Sequence, residues 1–194
     1  SATTTASVVD RVFEYLKKTR WQPAIRIVPP YFDDPLYINA LKLNLEEKLK
    51  KQNIKEKNIV CSFHGIPKKY FLKGDPYHCH CAKTVRLLNE KMKGKYTFQM
   101  SFQSRFGPQE WLRPYMNEKM DELIEKKKSN MVIMAPGFSV DCLETLEEIK
   151  MEGEEEFLGK GGESFLYIDC LNDSKAAIKM YQQIINRELL GWLK

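Results

Sequence analysis

No run of apolar residues in this chain reaches the roughly 18–20 that a membrane-spanning helix needs, which argues against a transmembrane segment. The N-terminus, Ser1-Ala2-Thr3-Thr4-Thr5-Ala6-Ser7, has neither the basic start nor the apolar middle of a secretory signal. It also lacks an initiator Met, which points to a chain processed or cut from something longer. Cysteine occurs five times without paired spacing. That odd count argues for free thiols in a reducing compartment and against a secreted disulfide framework. There is no internal repeat and no low-complexity linker. Gly159-Lys160-Gly161-Gly162 precedes a strand-like run instead of following one, the wrong side for a phosphate-binding loop.

What is present suits one domain, or one slightly extended domain. The 194 residues are 43% hydrophobic and 29% charged, enough for both a core and a solvated surface. Thirty-one basic against 26 acidic residues give a net charge of +5. The Lys-rich runs, 48–57 and 126–128, alternate with Glu on helical segments and read as solvated helix faces, so no nucleic-acid partner is expected. A membrane-surface or anionic-ligand preference is the residual reading of that charge.

The hydrophobic pattern alternates between periods. Residues 5–18 form a helix with a Ser/Thr-rich start and apolar positions Val8, Val9, Val12, Phe13 and Leu16. Ala24 to Val28 is read as a short strand ended by Pro29-Pro30, and Asp34-Pro35 opens a helix to about Lys51, proline suiting the first turn. Strand 58–63, helix 78–92, strand 96–102, helix 117–128, strand 131–135, helix 141–158, strand 164–168 and helix 174–190 follow. Five strands separated by helices predict an α/β fold: a parallel sheet with right-handed crossovers and helices on both faces. The first and last helices flank this region, and their apolar faces require a missing half or a partner subunit to cover them.

Three polar or aromatic segments follow three of the strands. Ile59 to Phe63 runs into His64-Gly65-Ile66-Pro67, and a second run ends in Phe102-Gln103-Ser104-Arg105-Phe106-Gly107-Pro108, with Trp111 close behind. Met131 to Ala135 runs into Pro136-Gly137-Phe138-Ser139-Val140-Asp141-Cys142-Leu143-Glu144. In open parallel sheets ligands bind outside the carboxyl ends of the strands, so the three segments face one crevice. His78-Cys79-His80-Cys81 contains four potential ligands, but neighbouring side chains cannot all reach one ion, and closed zinc sites draw on spaced pairs.

The residues at these strand ends resemble ferrochelatase, the enzyme that inserts ferrous iron into protoporphyrin IX. Ser62-Phe63-His64-Gly65-Ile66-Pro67 with Gly74-Asp75-Pro76-Tyr77 looks like that family's histidine segment. The segment from Phe102 to Pro108, with Trp111-Leu112 and Pro114, is similar to its porphyrin-lining segment. Pro136 to Glu148 resembles its glutamate segment in proteobacterial form, and Cys170-Leu171-Asn172-Asp173 its late Leu-Asn turn. The likeness runs from residue 1 to about 190. Family members normally exceed 300 residues in two Rossmann-like halves, so the resemblance implies one half of the chelatase fold. Residues 1–22 would be a helix of the interdomain region and 23–172 the C-terminal chelatase domain. Residues 173–194 would be a helix packing on the missing half or a partner.

The resemblance also assigns chemistry. Metal insertion must deliver a divalent cation and remove two pyrrole N–H protons. His64 suits this, because a neutral imidazole accepts a proton or holds a metal, and imidazoles titrate at roughly pH 6.5. Glu144 would bring an anionic oxygen opposite, and ferrous iron accepts mixed N and O ligands. How the two divide proton abstraction and metal transfer is left open. Glu148 and Glu152 follow at i+4 and i+8: either a solvated acidic stripe or a row leading metal inward, which a π-bulge would keep aligned. Phe102, Trp111 and Phe138 offer apolar surface to the macrocycle, with Gln103, Ser104 and Ser139 beside them and Arg105 suited to a propionate. Asp141 is expected to start the helix and to hydrogen-bond His64.

The implied partners are protoporphyrin IX and ferrous iron, the iron being substrate. No tightly bound cofactor is expected. Some ferrochelatases hold a [2Fe–2S] cluster, but no matching four-cysteine set is found here. A homodimer or a complementary N-terminal half would complete the clamp, and peripheral membrane association is compatible with it. The compartment would be the cytoplasm in a bacterium, or the matrix side of the mitochondrial inner membrane in a eukaryote. The alternative function is a porphyrin- or haem-binding relative without catalysis.

Overall fold

A computed structural model describes residues 1–192. Four strands, β1 (Asn58–His64), β2 (Thr97–Gln103), β3 (Asn130–Met134) and β4 (Ser164–Ile168), form one parallel sheet in the order β2-β1-β3-β4. Seven α-helices occur among the described residues: α1 (Ser7–Leu16), α2 (Pro35–Lys51), α3 (Lys68–Leu72), α4 (Tyr77–Met92), α5 (Met116–Glu125), α6 (Gly153–Gly159) and α7 (Lys175–Glu188). Two π-helical segments, Ala2–Ala6 and Glu144–Glu152, lead into α1 and α6.

The strands are apolar on both faces because both faces are covered. Ile59, Cys61 and Phe63 of β1, with Val132 and Met134 of β3, point into a core shared with α2, α4 and α7. Val60, Met131 and Ile133 point the other way, against Met116, Met120 and Leu123 of α5, Ile149 and Phe157. This is the period-2 alternation of a strand read off on two cores. Helix starts follow local chemistry: the Asp34 carboxylate accepts from Leu36 N at 2.9 Å with Pro35 in the first turn, and Ser174 Oγ accepts from Ala177 N.

The sheet has four strands, not the five expected. Ala24 to Val28 stays outside it as an extended segment, with Ile25, Ile27 and Val28 each more than 40% exposed. β-propensity alone gives no strand where no neighbouring ladder accepts it. The short α3, at Lys68, was not anticipated. Helix α1 buries no residue: Val8, Phe13 and Tyr15 are exposed. By contrast, α7 buries Ala177, Met180 and Ile184 in the core with α2, while Ile178, Ile185 and Trp192 remain exposed. Leu193 and Lys194, the end of the segment expected to pack on a partner, lie outside the described residues. No helix among the described residues is long and apolar enough to cross a membrane.

Candidate active site

All four strands run the same way, so the ends of β1, β2 and β3 share one edge, with His64 in register with Gln103. The loops beyond them are tied together through main-chain bonds. Gly65 N donates to Gln103 O at 2.8 Å, Lys68 N to Glu110 O at 2.8 Å, and Leu112 N to Ile66 O at 3.0 Å. Gly65 is required by space: a Cβ there would stand 2.9 Å from Gln103 O and 3.1 Å from Trp111 Cε3. The absence of a side chain lets the indole lie directly over the turn that carries His64.

The geometry fixes the His64 tautomer. Nδ1 lies 2.6 Å from Gly65 O, and a carbonyl only accepts, so Nδ1 carries the hydrogen. In the neutral ring, Nε2 then holds the lone pair, and it has no hydrogen-bond partner among the described residues. His64 lines a cavity of about 510 Å³ with Thr3, Thr4, Tyr70, Phe106 and Trp111. Trp111 is 5% exposed and its ring meets that of Phe106 at 4.8 Å.

Glu144 is exposed at the start of the π-helical segment. The Cys142 thiol donates to its Oε2 at 2.9 Å; that bond and its own main-chain N–H hold its carboxyl below the usual range. Glu148 turns toward β2: its two carboxylate oxygens accept from Ser104 N at 2.6 Å and Ser104 Oγ at 2.5 Å. Ser104 sits at φ 64°, an unusual left-handed conformation that these two bonds hold in place. Glu152 is exposed and makes no hydrogen bond or ion pair among the described residues. The anticipated π-bulge is a π-helix over all of Glu144–Glu152.

Other expected site residues distribute differently. Phe102 is 1% exposed, its ring between those of Phe63 and His78; it belongs to the core beneath the cavity, not to the cavity wall. Gln103 is buried; its Oε1 accepts from Ser62 Oγ and its Nε2 has no partner. Arg105 is exposed with its guanidinium 4.6 Å over the Tyr115 ring. Phe138 is half-buried against the α5-side core, and Ser139 Oγ pairs with the Tyr31 hydroxyl at 2.7 Å.

Asp141 neither pairs with His64 nor caps the helix. Its carboxylate accepts from Asn172 Nδ2 at 2.6 Å, Tyr167 OH at 2.7 Å, Thr145 Oγ1 at 3.1 Å and Cys170 N at 3.3 Å. Burial pushes its carboxyl up, but the bonds from Asn172, Tyr167 and Cys170 outweigh this and hold it below the usual range. It thereby pins the loop carrying Glu144 to the end of β4. The side chains of His78-Cys79-His80-Cys81 diverge: His78 meets Phe71, His80 stacks on Phe32 at 3.8 Å, Cys79 is exposed and Cys81 is buried. No group of three or more His, Cys, Asp or Glu side chains among the described residues is arranged to hold a metal ion.

Sequence reasoning missed Thr3, Thr4 and Tyr70 on the cavity wall, while Phe106, also on it, lies within the segment expected to line the porphyrin. The Ser/Thr-rich start was read only as a helix start, and nothing local shows that it folds over the sheet edge.

The family model described as ferrochelatase matches residues 1–189. The ferrochelatase of Agrobacterium fabrum (strain C58) is 50% identical over 194 residues, covering 100% of this chain and 56% of that protein. The ferrochelatase of Francisella tularensis subsp. novicida (strain U112) is 49% identical over 192 residues, covering 97% of this chain and 57% of that protein. The chain thus spans about half the length of the curated relatives it matches.

Proposed function

The chain belongs to the ferrochelatase family, and from that membership we propose that it forms the part of a metal chelatase that carries the proton acceptor and the metal-facing carboxylate. The substrates are protoporphyrin IX and Fe²⁺, the product is protohaem, and the reaction class is that of a lyase in haem biosynthesis. The observation that carries this reading is the His64 tautomer: Nδ1–H donates to Gly65 O and leaves Nε2 as a bare acceptor beside an apolar cavity.

Each pyrrole N–H must lose its proton as the metal enters. In this reading the macrocycle lies against Trp111, with Phe138 as a further apolar face, and a propionate is met at the exposed Arg105; Ser104, Ser139 and the buried Gln103 brace the segments around it through Glu148, Tyr31 and Ser62. Nε2 of His64 takes one pyrrole proton and passes it to solvent before taking the second, while the carboxylate of Glu144 holds or passes the cation. Glu152 is a free carboxylate of the acidic row, and Glu148 joins it when it releases Ser104. Iron is substrate, and the reaction needs no resident cofactor. The bland alternative, a porphyrin binder without catalysis, would not need an imidazole whose Nε2 is left bare beside an apolar cavity.

The test uses a polypeptide of the relatives' full length that contains this segment. His64→Ala should reduce iron or zinc incorporation by about 10²–10⁴-fold, the usual worth of a positioned proton acceptor. Porphyrin binding, read by fluorescence quenching, should persist because it rests on apolar area. Normal turnover of His64→Ala would remove the assignment.

A further inference from the structure

A second cavity, about 340 Å³, opens beside the first where the ends of β1 and β3 meet, lined by Tyr31, Phe63, His80, Pro136, Gly137 and Ser139. Two residues, Thr4 and Tyr77, line both cavities. Tyr77 is the first residue of α4 and is fixed from both ends. Its N–H donates to Asp75 Oδ1 at 2.9 Å, and Asp75 Oδ2 in turn accepts from Ala2 N at 2.7 Å and Ser1 Oγ at 3.2 Å. Its hydroxyl donates to His64 O at 2.9 Å.

That last bond grips the peptide on which the catalytic geometry depends. The carbonyl held by Tyr77 belongs to the His64–Gly65 peptide. Its N–H is held by Gln103 O, and the next carbonyl, Gly65 O, receives His64 Nδ1–H. With that peptide held at both its oxygen and its nitrogen, the Cα of Gly65 is placed, and one torsion, ψ of Gly65, sets Gly65 O against the imidazole. Free either end and the peptide rotates, Gly65 O leaves the ring, and the Nε2–H tautomer competes. Burial drives the Tyr77 hydroxyl far above its ordinary range, so it remains a donor throughout the working pH range.

We infer that Tyr77 is a positioning residue: through the His64 main chain it holds the imidazole with Nε2 bare, and its ring forms, with Thr4, the wall between the two cavities. The inference rests on the reading of His64 as proton acceptor, but its structural half can be tested without activity.

In the 194-residue chain, ¹⁵N-detected imidazole spectra at about pH 8 or above, where imidazoles are neutral, should show His64 as the Nδ1–H tautomer. Wild-type protein in the Nε2–H form would overturn the inference whatever any variant does. Tyr77→Phe keeps the ring and removes only the oxygen; it should shift His64 toward mixed tautomers. In the full-length polypeptide it should lower kcat about tenfold with the porphyrin KM unchanged, the pattern of a lost transition-state interaction. Tyr77→Leu also removes the wall and should raise the porphyrin KM in addition. A Tyr77→Phe protein with wild-type tautomer and wild-type kcat refutes the role. If wild-type protein bound no porphyrin, the functional reading would fail, while the tautomer of Tyr77→Phe would still decide the positioning.

Discussion

Replacing Asp141 by Ala isolates the contact that fixes the Glu144 loop. Four donors converge on this carboxylate, and the two shortest, from Asn172 at 2.6 Å and Tyr167 at 2.7 Å, set the scale. A hydrogen bond to a charged group contributes about 1.5–3 kcal/mol. Asn172 is half-exposed, so water replaces part of what it loses. Tyr167 is 4% exposed and would keep only Cys170 Sγ, 3.3 Å away. Thr145 has a substitute in Cys142 O at 3.0 Å. The sum comes to about 3–4 kcal/mol, short of the upper limit of about 6 for two fully dry bonds. With a urea m-value of about 2 kcal/mol/M, the midpoint should fall by about 1.5–2 M. The loss should also depend on pH. The folded-state pKa lies below the ordinary value, so the stabilisation is full above the unfolded-state pKa of about 3.9 and disappears as pH falls through the lower folded value. The gap between wild type and variant should therefore be widest near neutrality and close in acid. A midpoint shift under about 0.5 M at neutral pH would refute the reasoning, and so would a gap that persists below the folded-state pKa.

Other outcomes follow from the same geometry. Gly65→Ala must push its Cβ against Gln103 O and the Trp111 ring. It should cost about 1–3 kcal/mol and alter tryptophan fluorescence, and an unchanged melting curve would contradict the packing. Gly162→Ala would place a Cβ 2.4 Å from the ring of the fully buried Phe157, and an unaltered thermal midpoint would show that the ring moves freely. Burial pushes the Cys81 and Cys170 thiols up to about 12, so iodoacetamide should label exposed Cys79 first and the buried pair only on unfolding, as mass spectrometry would show. Lys119 and Lys126 hold the Glu122 carboxyl at about 2, yet the group is largely solvated. Glu122→Gln should therefore cost less than about 1 kcal/mol in urea titration, and a larger loss would mean the fork is less screened than it looks.

Much of the fold follows from the sequence because its signals are local. β1 and β3 are short apolar runs, Asp34-Pro35 and Ser174 begin helices by capping, and strands alternating with helices require a parallel sheet. The placement of His64 and Glu144 past strand ends, and the motifs around them, are likewise a linear property. Local pattern failed where the outcome depended on a distant partner. Ala24 to Val28 has strand composition but no ladder to join, and Asp141 looks like a cap until Tyr167 and Asn172 arrive from β4 and the turn beyond it. The same holds for Phe102, whose strand-end position suggested a ligand surface but whose neighbours Phe63 and His78 close over it. Which nitrogen of His64 carries its hydrogen was settled by the turn of the Gly65 carbonyl. That turn exists because Gln103, 38 positions along the chain, lies in register on the neighbouring strand and Trp111 needs the space over Gly65. Residue types and their spacing chose the chemistry; long-range packing aimed it, because hydrogen-bond direction and burial are properties of neighbours that a linear sequence does not name.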